Sequence, residues 1–292
     1  MSLIECVPNF SEGRDEATLA ALEAAILSVS GILLLGREAD PDHNRSVFTF
    51  VGEPAAVVEA AVRAVGVAAE RINLTQHQGV HPRIGAADVV PFVPVEDLTL
   101  ADCIPIAHRA GEEIWRRFGV AVYFYEAAAL APDRERLENI RLGKITGGPD
   151  LGSPHPTAGA TVVGARQFLI AYNINLATPD LGIAQDIARQ IRTSSGGLPH
   201  VKALGLPLAS RNQAQVSMNL TNFEVTPPHV VFQAVEAAAR ARGVAIASSE
   251  LIGFVPRRAL EMAFNDLLRF ENFHAARVLE NALAAKLKES AR

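Results

Sequence analysis

The sequence is short of cysteine, of charge of either sign and of long apolar runs, and each shortage closes off a class of protein. Two cysteines, Cys6 and Cys103, in 292 residues cannot form the disulfide framework of a small secreted domain. Cys6 lies in the apolar stretch Leu3-Ile4-Glu5-Cys6-Val7, where a small buried thiol is expected rather than a reactive one. The formal charge is only −5, and no Lys/Arg run could track a nucleic-acid backbone, so no nucleic-acid partner is expected. No uncharged apolar stretch reaches the ~20 residues needed to span a bilayer, so no membrane partner is expected either. The first five residues lack the basic region and apolar core of a secretory leader, which makes the cytoplasm the expected location. Gly147-Gly148 and Gly196-Gly197 stand outside any P-loop or dinucleotide fingerprint. What is present is 49% hydrophobic residues against 20% charged, enough for a sizeable core. The length exceeds that of a usual single domain and implies two domains or two packed halves.

Hydrophobic periodicity gives the first half as strand, helix, two strands, helix and strand. Leu3–Val7 is a strand, and Ser11 or Asp15 caps a helix through Leu19, Leu22 and Ile26. Strands follow over Ile32–Leu35 and Ser46–Val51, with the Asp40–Arg45 turn before the second. A helix with Val57, Val58, Ala61, Val62 and Val65 on one side comes next, then a turn-rich stretch and a strand over Asp88–Val95. A further helix from Thr99 to Phe118 and a strand at Val120–Tyr125 extend the sheet, and residues 131–157 read as irregular around a short charged helix. The second half repeats the order: strand Phe168–Leu176, a helix opened by Thr178-Pro179-Asp180, strands Val201–Leu208 and Ala214–Asn222, helix Pro227–Arg242 and a closing strand. The expectation is an α+β protein of two ferredoxin-like sandwiches, a duplicated split β-α-β, divided as residues 1–166 and 167–292, with a ligand cleft between them.

The turns hold the residues able to do chemistry. In His77-Gln78-Gly79-Val80-His81-Pro82-Arg83, two features stiffen the backbone around an imidazole: Gly79 permits a tight turn and Pro82 fixes the chain after His81. Arg83 adds a permanent charge. A structured polar loop and a general acid/base at His81 fit these residues equally well. Asp40-Pro41-Asp42-His43-Asn44-Arg45 reads as a hairpin turn, or as a site in which Asn44 and Arg45 take a carboxylate and Asp40 orients a histidine or an amine. Asp88, at the end of the segment that begins at His77, is the alternative to Asp40 for orienting a histidine or holding a cation. Gly152-Ser153-Pro154-His155-Pro156-Thr157-Ala158-Gly159 fits a linker or a stiff lining loop. His77 and His81 are four apart, but Gly79 and Pro82 oppose the helix that would make this a zinc spacing, so no metal is expected.

Together these segments resemble the formiminotransferase family, whose domain also forms the transferase part of formiminotransferase-cyclodeaminase. The likeness is carried by Glu5–Gly13, Asn44–Gly52, Gly79–Phe92, Gly159–Leu176, Gln213–Ser217 and Asn219–Val225, in order along nearly the whole chain. It implies transfer of the formimino group from N-formimino-L-glutamate to N5 of tetrahydrofolate as co-substrate, two ferredoxin-like subdomains and a homodimer. The family's catalytic histidine falls on His81. Its folate-lining loop falls on Gly152–Gly159, making Gly152, His155, Pro156, Thr157 and Gly159 candidate contacts, beside Asp40, Asn44, Arg45, Arg83 and Asp88 for the substrates. The loop departs from the family pattern in its shortness and in Ala158, which stands where an aromatic residue is usual. The chain is too short for a cyclodeaminase domain, so that activity is expected on a separate protein. The alternatives are a related folate enzyme using N-formylglutamate or 5-formyltetrahydrofolate, and a folate-binding protein without turnover.

Overall fold

The computed structural model describes residues 2–79, 82–262 and 275–290; His81 and Val80 lie outside the described residues. The chain divides into two compact units, Met1–Gln167 and Phe168–Arg292.

The first unit follows the alternation of its sequence. Strand β1 (Leu3–Cys6) and strand β2 (Asn9–Phe10) both lie between β4 (Arg45–Gly52) and β5 (Ala87–Glu96), so they are one lane of the sheet interrupted at Val7-Pro8. Pro8 has no N–H to give to the ladder, and only its carbonyl is used, by Phe48 N–H at 3.1 Å. Helix α1 (Glu16–Leu27) is capped by Asp15, whose carboxylate accepts from Ala17 N–H. Ser11, the other candidate cap, instead donates to the Gly85 carbonyl at 2.7 Å. Strand β3 (Leu33–Asp40) pairs with β4 from the outside and runs five residues beyond Leu35. Helix α2 (Pro54–Arg71) buries Val57, Val58, Ala61, Val62 and Val65, as the spacing predicts. Helix α3 (Leu100–Phe118) opens on a reciprocal capping box between Thr99 and Asp102.

Strands β6 (Ala121–Glu126) and β7 (Ala160–Ala165) add to the sheet in parallel beside β5. Between them lies the short helix α4 (Leu137–Arg141) within otherwise irregular chain. Across the sheet the lanes run β3, β4, β1/β2, β5, β7, β6. Helices and sheet enclose one apolar core, with Phe10, Phe48, Phe50 and Phe92 fully buried in it.

The second unit holds β8 (Ile170–Leu176), α5 (Leu181–Ile191), β9 (Val201–Leu208), β10 (Gln213–Leu220), α6 (Pro228–Arg240) and β11 (Ile246–Ile252). Helix α5 is capped by Asp180, not Thr178, because the carboxylate reaches two N–H groups, those of Gly182 and Ile183. The sheet order is β11-β8-β10-β9 with every neighbour antiparallel. Alternate residues Tyr172, Ile174, Val216 and Met218 join Ile187, Val231 and Phe232 in a second core. The intervening residues are polar: Asn173 and Asn175 on β8, Gln215 and Ser217 on β10, Ser248 and Glu250 on β11. They meet in register on the opposite face. Helices α7 (Arg257–Glu261) and α8 (Leu279–Ser290) complete the described chain. Among the described residues no helix is long and apolar enough to cross a membrane.

Candidate functional site

Three segments far apart in sequence converge at one end of the first unit's sheet. Asn44, in a left-handed conformation at φ 47°, closes the β3–β4 turn. Its side-chain oxygen accepts from Gly13 N–H at 2.9 Å and its amide nitrogen donates to the Gln78 carbonyl at 3.0 Å. Arg83 donates to the Asn44 carbonyl at 3.2 Å and the His43 carbonyl at 3.1 Å. Chain on both sides of residues 80–81 is therefore tied to the β3–β4 turn. Gly79 is needed here, since a Cβ would run into the His43 carbonyl and the Arg83 guanidinium. The 152–159 loop docks through backbone pairs, Ala86 N–H to the Ala158 carbonyl at 2.8 Å and Leu74 N–H to the Thr157 carbonyl at 2.8 Å. A Cβ at Gly85 would strike the Ala160 carbonyl, so only glycine lets these strands approach so closely.

Asp88 is the electrostatic centre of the cluster. It is fully buried, and its Oδ2 accepts from Arg45 Nη1 at 2.7 Å and Arg141 Nη2 at 2.5 Å. Its Oδ1 accepts from Ile84 N–H at 2.7 Å. Burial pushes its carboxyl up, but the two guanidiniums and these hydrogen bonds outweigh burial and hold it down at about 2. Arg45 is fixed further by Asn9 Oδ1, at 3.2 Å from Nε and 2.9 Å from Nη2. Asp88 thus anchors two arginines and the start of the Ile84 turn.

Asp40 is occupied differently. Its Oδ1 accepts from the N–H groups of Asp42 and His43, and its Oδ2 lies 2.7 Å from His43 Nδ1. Burial raises its carboxyl, and these hydrogen bonds more than offset that, leaving it below the ordinary value. Arg83 Nη1 lies 2.6 Å from His77 Nε2 and 2.8 Å from Nδ1. Burial first, and then the Arg83 charge, lower the pKa of His77 and favour the neutral ring. His155 Nδ1 accepts from Ala158 N–H at 3.1 Å, which leaves the ring's proton on Nε2. Its backbone pairs with Gly159 in both directions, while Gly152 packs against the face of Trp115 with no room for a Cβ. Pro156 and Thr157 form the tip between them.

A polar recess of about 320 Å³ opens beside Asn44, His77 and Gln78, with Arg14 and Arg71 on its wall. Arg14, Arg71 and Arg141 carry no sequence motif, and only the fold assembles them around the turn. The polar rows of the second sheet were legible in principle, because Asn173 and Asn175, and Gln213, Gln215 and Ser217, alternate with apolar residues along their strands. Among the described residues no group of histidine, cysteine and carboxylate side chains could hold a metal ion.

The structure thus defines an α+β protein of two units, with a buried carboxylate holding two arginines beside glycine-built turns. A family model described as the formiminotransferase domain, N-terminal subdomain, matches residues 3–166, and one described as the formiminotransferase domain matches residues 171–282. The chain belongs to the formiminotransferase domain family. It is 42% identical to the glutamate formimidoyltransferase of Streptococcus pyogenes serotype M1, over 96% of this chain and 98% of that protein. The glutamate formimidoyltransferase of Thermoplasma acidophilum is likewise 42% identical, over 97% and 98%. The formimidoyltransferase-cyclodeaminase of Gallus gallus is 44% identical over 88% of this chain, which covers 51% of that longer protein.

Proposed function

We propose that this chain transfers the formimino group of N-formimino-L-glutamate to N5 of tetrahydrofolate, giving 5-formiminotetrahydrofolate and L-glutamate. The observation that carries this is the end-to-end match to two glutamate formimidoyltransferases, which leaves neither unit of the chain outside the likeness. The arginine cluster adds chemical support, because formiminoglutamate carries two carboxylates and needs fixed cations. Arg83 and the recess arginines are suited to that task. Arg45 is held back by Asp88, so its role is to shape and polarise the site from behind.

The chemistry asks for one proton carrier. N5 attacks the amidine carbon, the tetrahedral adduct forms, and the C–N bond to glutamate breaks. His81 takes the proton that N5 loses and returns one to the departing glutamate nitrogen. The ties of Gln78 and Arg83 to the β3–β4 turn support this role, since they fix the chain on either side of it. Asp40 is engaged with His43 and Asp88 with two arginines, so neither carboxylate is assigned to His81 in this scheme. Gly152, His155, Pro156, Thr157 and Gly159 form the folate-side loop, and the close docking of that loop on Gly85 supports a fixed wall.

Each unit is a ferredoxin-like sandwich in this proposal. The order β11-β8-β10-β9 around α5 and α6 supports it, as does the matching β3, β4, β1/β2, β5 order around α1 and α2. A homodimer in the cytoplasm completes it, and sedimentation of the purified protein tests the assembly. Replacing His81 with alanine is expected to lower the transfer rate by roughly 10²–10⁴-fold with unchanged circular dichroism. A near-normal rate in a folded His81→Ala protein removes His81 from the mechanism.

A further inference from the structure

The recess beside the β3–β4 turn has walls of both signs, and every residue lining it belongs to the first unit. Among the described residues that line it, Glu12 is the carboxylate and Arg14 and Arg71 are the permanent cations. Glu12 Oε1 accepts from three successive backbone N–H groups, those of Gly13 at 2.9 Å, Arg14 at 2.7 Å and Asp15 at 2.9 Å. Three donors on one oxygen fix the carboxylate just before α1. Its Oε2 takes no hydrogen bond among the described residues and is left for whatever enters the recess. Arg14 is held through Nε, 2.7 Å from the Pro41 carbonyl, which leaves its Nη groups to donate elsewhere. Arg71, at the end of α2, makes no hydrogen bond or salt bridge among the described residues. Glu12 and these two arginines thus line one recess without pairing with one another.

The charges say which ligand. A simple anion meets Glu12 and a simple cation meets the arginines, whereas a molecule with one cationic end and separate carboxylates satisfies both. Of the two substrates in the reading above, on which this inference rests, only formiminoglutamate is such a molecule. Its amidine is protonated at neutral pH, and it carries two carboxylates for two guanidiniums. The volume of about 320 Å³ suits a ligand of that size. Gln78, which also lines the recess, lies three residues before His81 in the sequence. We propose that the recess is the donor subsite, with Glu12 Oε2 accepting from the amidinium N–H groups and Arg14 and Arg71 donating to the carboxylates. Glu12 is then the residue that separates a formimino from a formyl donor. A formyl group turns a carbonyl oxygen toward the carboxylate, so that two acceptors face each other.

The test sets the formimino compound against its formyl analogue, which keeps both carboxylates and loses the cation. N-Formimino-L-glutamate and N-formyl-L-glutamate are titrated calorimetrically into the full-length protein and its Glu12→Gln and Arg71→Gln variants. The wild type is expected to prefer the formimino compound by roughly 10- to 100-fold, as a hydrogen bond between charged groups gives. Glu12→Gln keeps an oxygen for the three backbone N–H groups and loses the charge, so the preference should vanish while formyl binding is kept. Arg71→Gln should weaken both compounds severalfold and leave their ratio intact, which keeps the test open if Glu12→Gln does not fold. Preference retained in a folded Glu12→Gln protein overturns the proposal, as do unchanged affinities in Arg71→Gln. A wild type that binds neither compound and transfers no formimino group overturns the functional reading itself. Transfer by a wild type that shows no preference between the two compounds overturns only the donor subsite.

Discussion

At the scale of single residues, two buried carboxylates pull stability in opposite directions with pH. Asp88 is held at about 2 against an ordinary 3.8, so its contribution is present above 3.8 and is lost as pH falls through 2. Glu5 is fully buried, and burial, only partly relieved by the Arg166 charge, pushes it from 4.5 to about 7. Its sign is reversed: the stability it contributes is complete below 4.5 and lost as pH rises through 7. That window corresponds to about 3 kcal/mol. Glu5→Gln should therefore raise stability at pH 8 and flatten the stability profile between pH 5 and 7, as read by urea unfolding; an unchanged slope contradicts the assignment. Asp88→Asn should cost about 3–5 kcal/mol by leaving two largely buried guanidiniums without their carboxylate, measured the same way. Asp88, Arg45 and Arg83 are visible in the sequence because they sit in or directly beside turns that join apolar runs. Arg141 is not, since it lies in a charged segment with Arg134 and Arg136 where any one of them reads as solvated. Glu5 carries no such signal, being one acid in an apolar strand, and only the sheet shows that strand paired on both sides.

The elements depend on where glycine and proline allow the backbone to go. The Ile84–Ala87 turn, Ser11 and the Gly159 end of the 152–159 loop are joined almost wholly by main-chain hydrogen bonds. Gly85→Ala should therefore separate them, because its Cβ meets the backbone carbonyl of Ala160, which cannot move alone. The expected result is a loss of several kcal/mol, of the order seen for overpacking, and a fall in folate affinity. Chemical denaturation and folate titration read the two effects separately. Helix and strand periodicity was legible almost throughout, since each element buries one face. The boundaries that differed did so for local reasons. β3 continues through Gly36-Arg37-Glu38 because it pairs on one side only and tolerates polar residues there, whereas the first lane breaks at Pro8. At α5 the sequence offered Thr178 and Asp180, and the carboxylate prevailed.

For the whole molecule, the repeated order of strands and helices was readable without sequence repetition, because both units solve the same problem of covering one sheet face with helices, α1 to α3 in the first and α5 and α6 in the second. What periodicity could not convey was the use of the other face. In the second unit alternating Asn, Gln and Ser residues fit a solvated sheet face as well as a covered one, and Asn175, Gln215 and Glu250 are buried. The donor, too, lies beyond pattern, as an amidine and a formyl group differ by one atom at the reacting carbon. The decisive measurement is a transfer assay on the purified full-length protein with tetrahydrofolate and, in parallel, N-formimino-L-glutamate or N-formyl-L-glutamate, following glutamate release and the folate product by mass spectrometry. The account predicts 5-formiminotetrahydrofolate and stoichiometric glutamate from the formimino donor. No transfer from that donor, or transfer from the formyl donor alone, contradicts it.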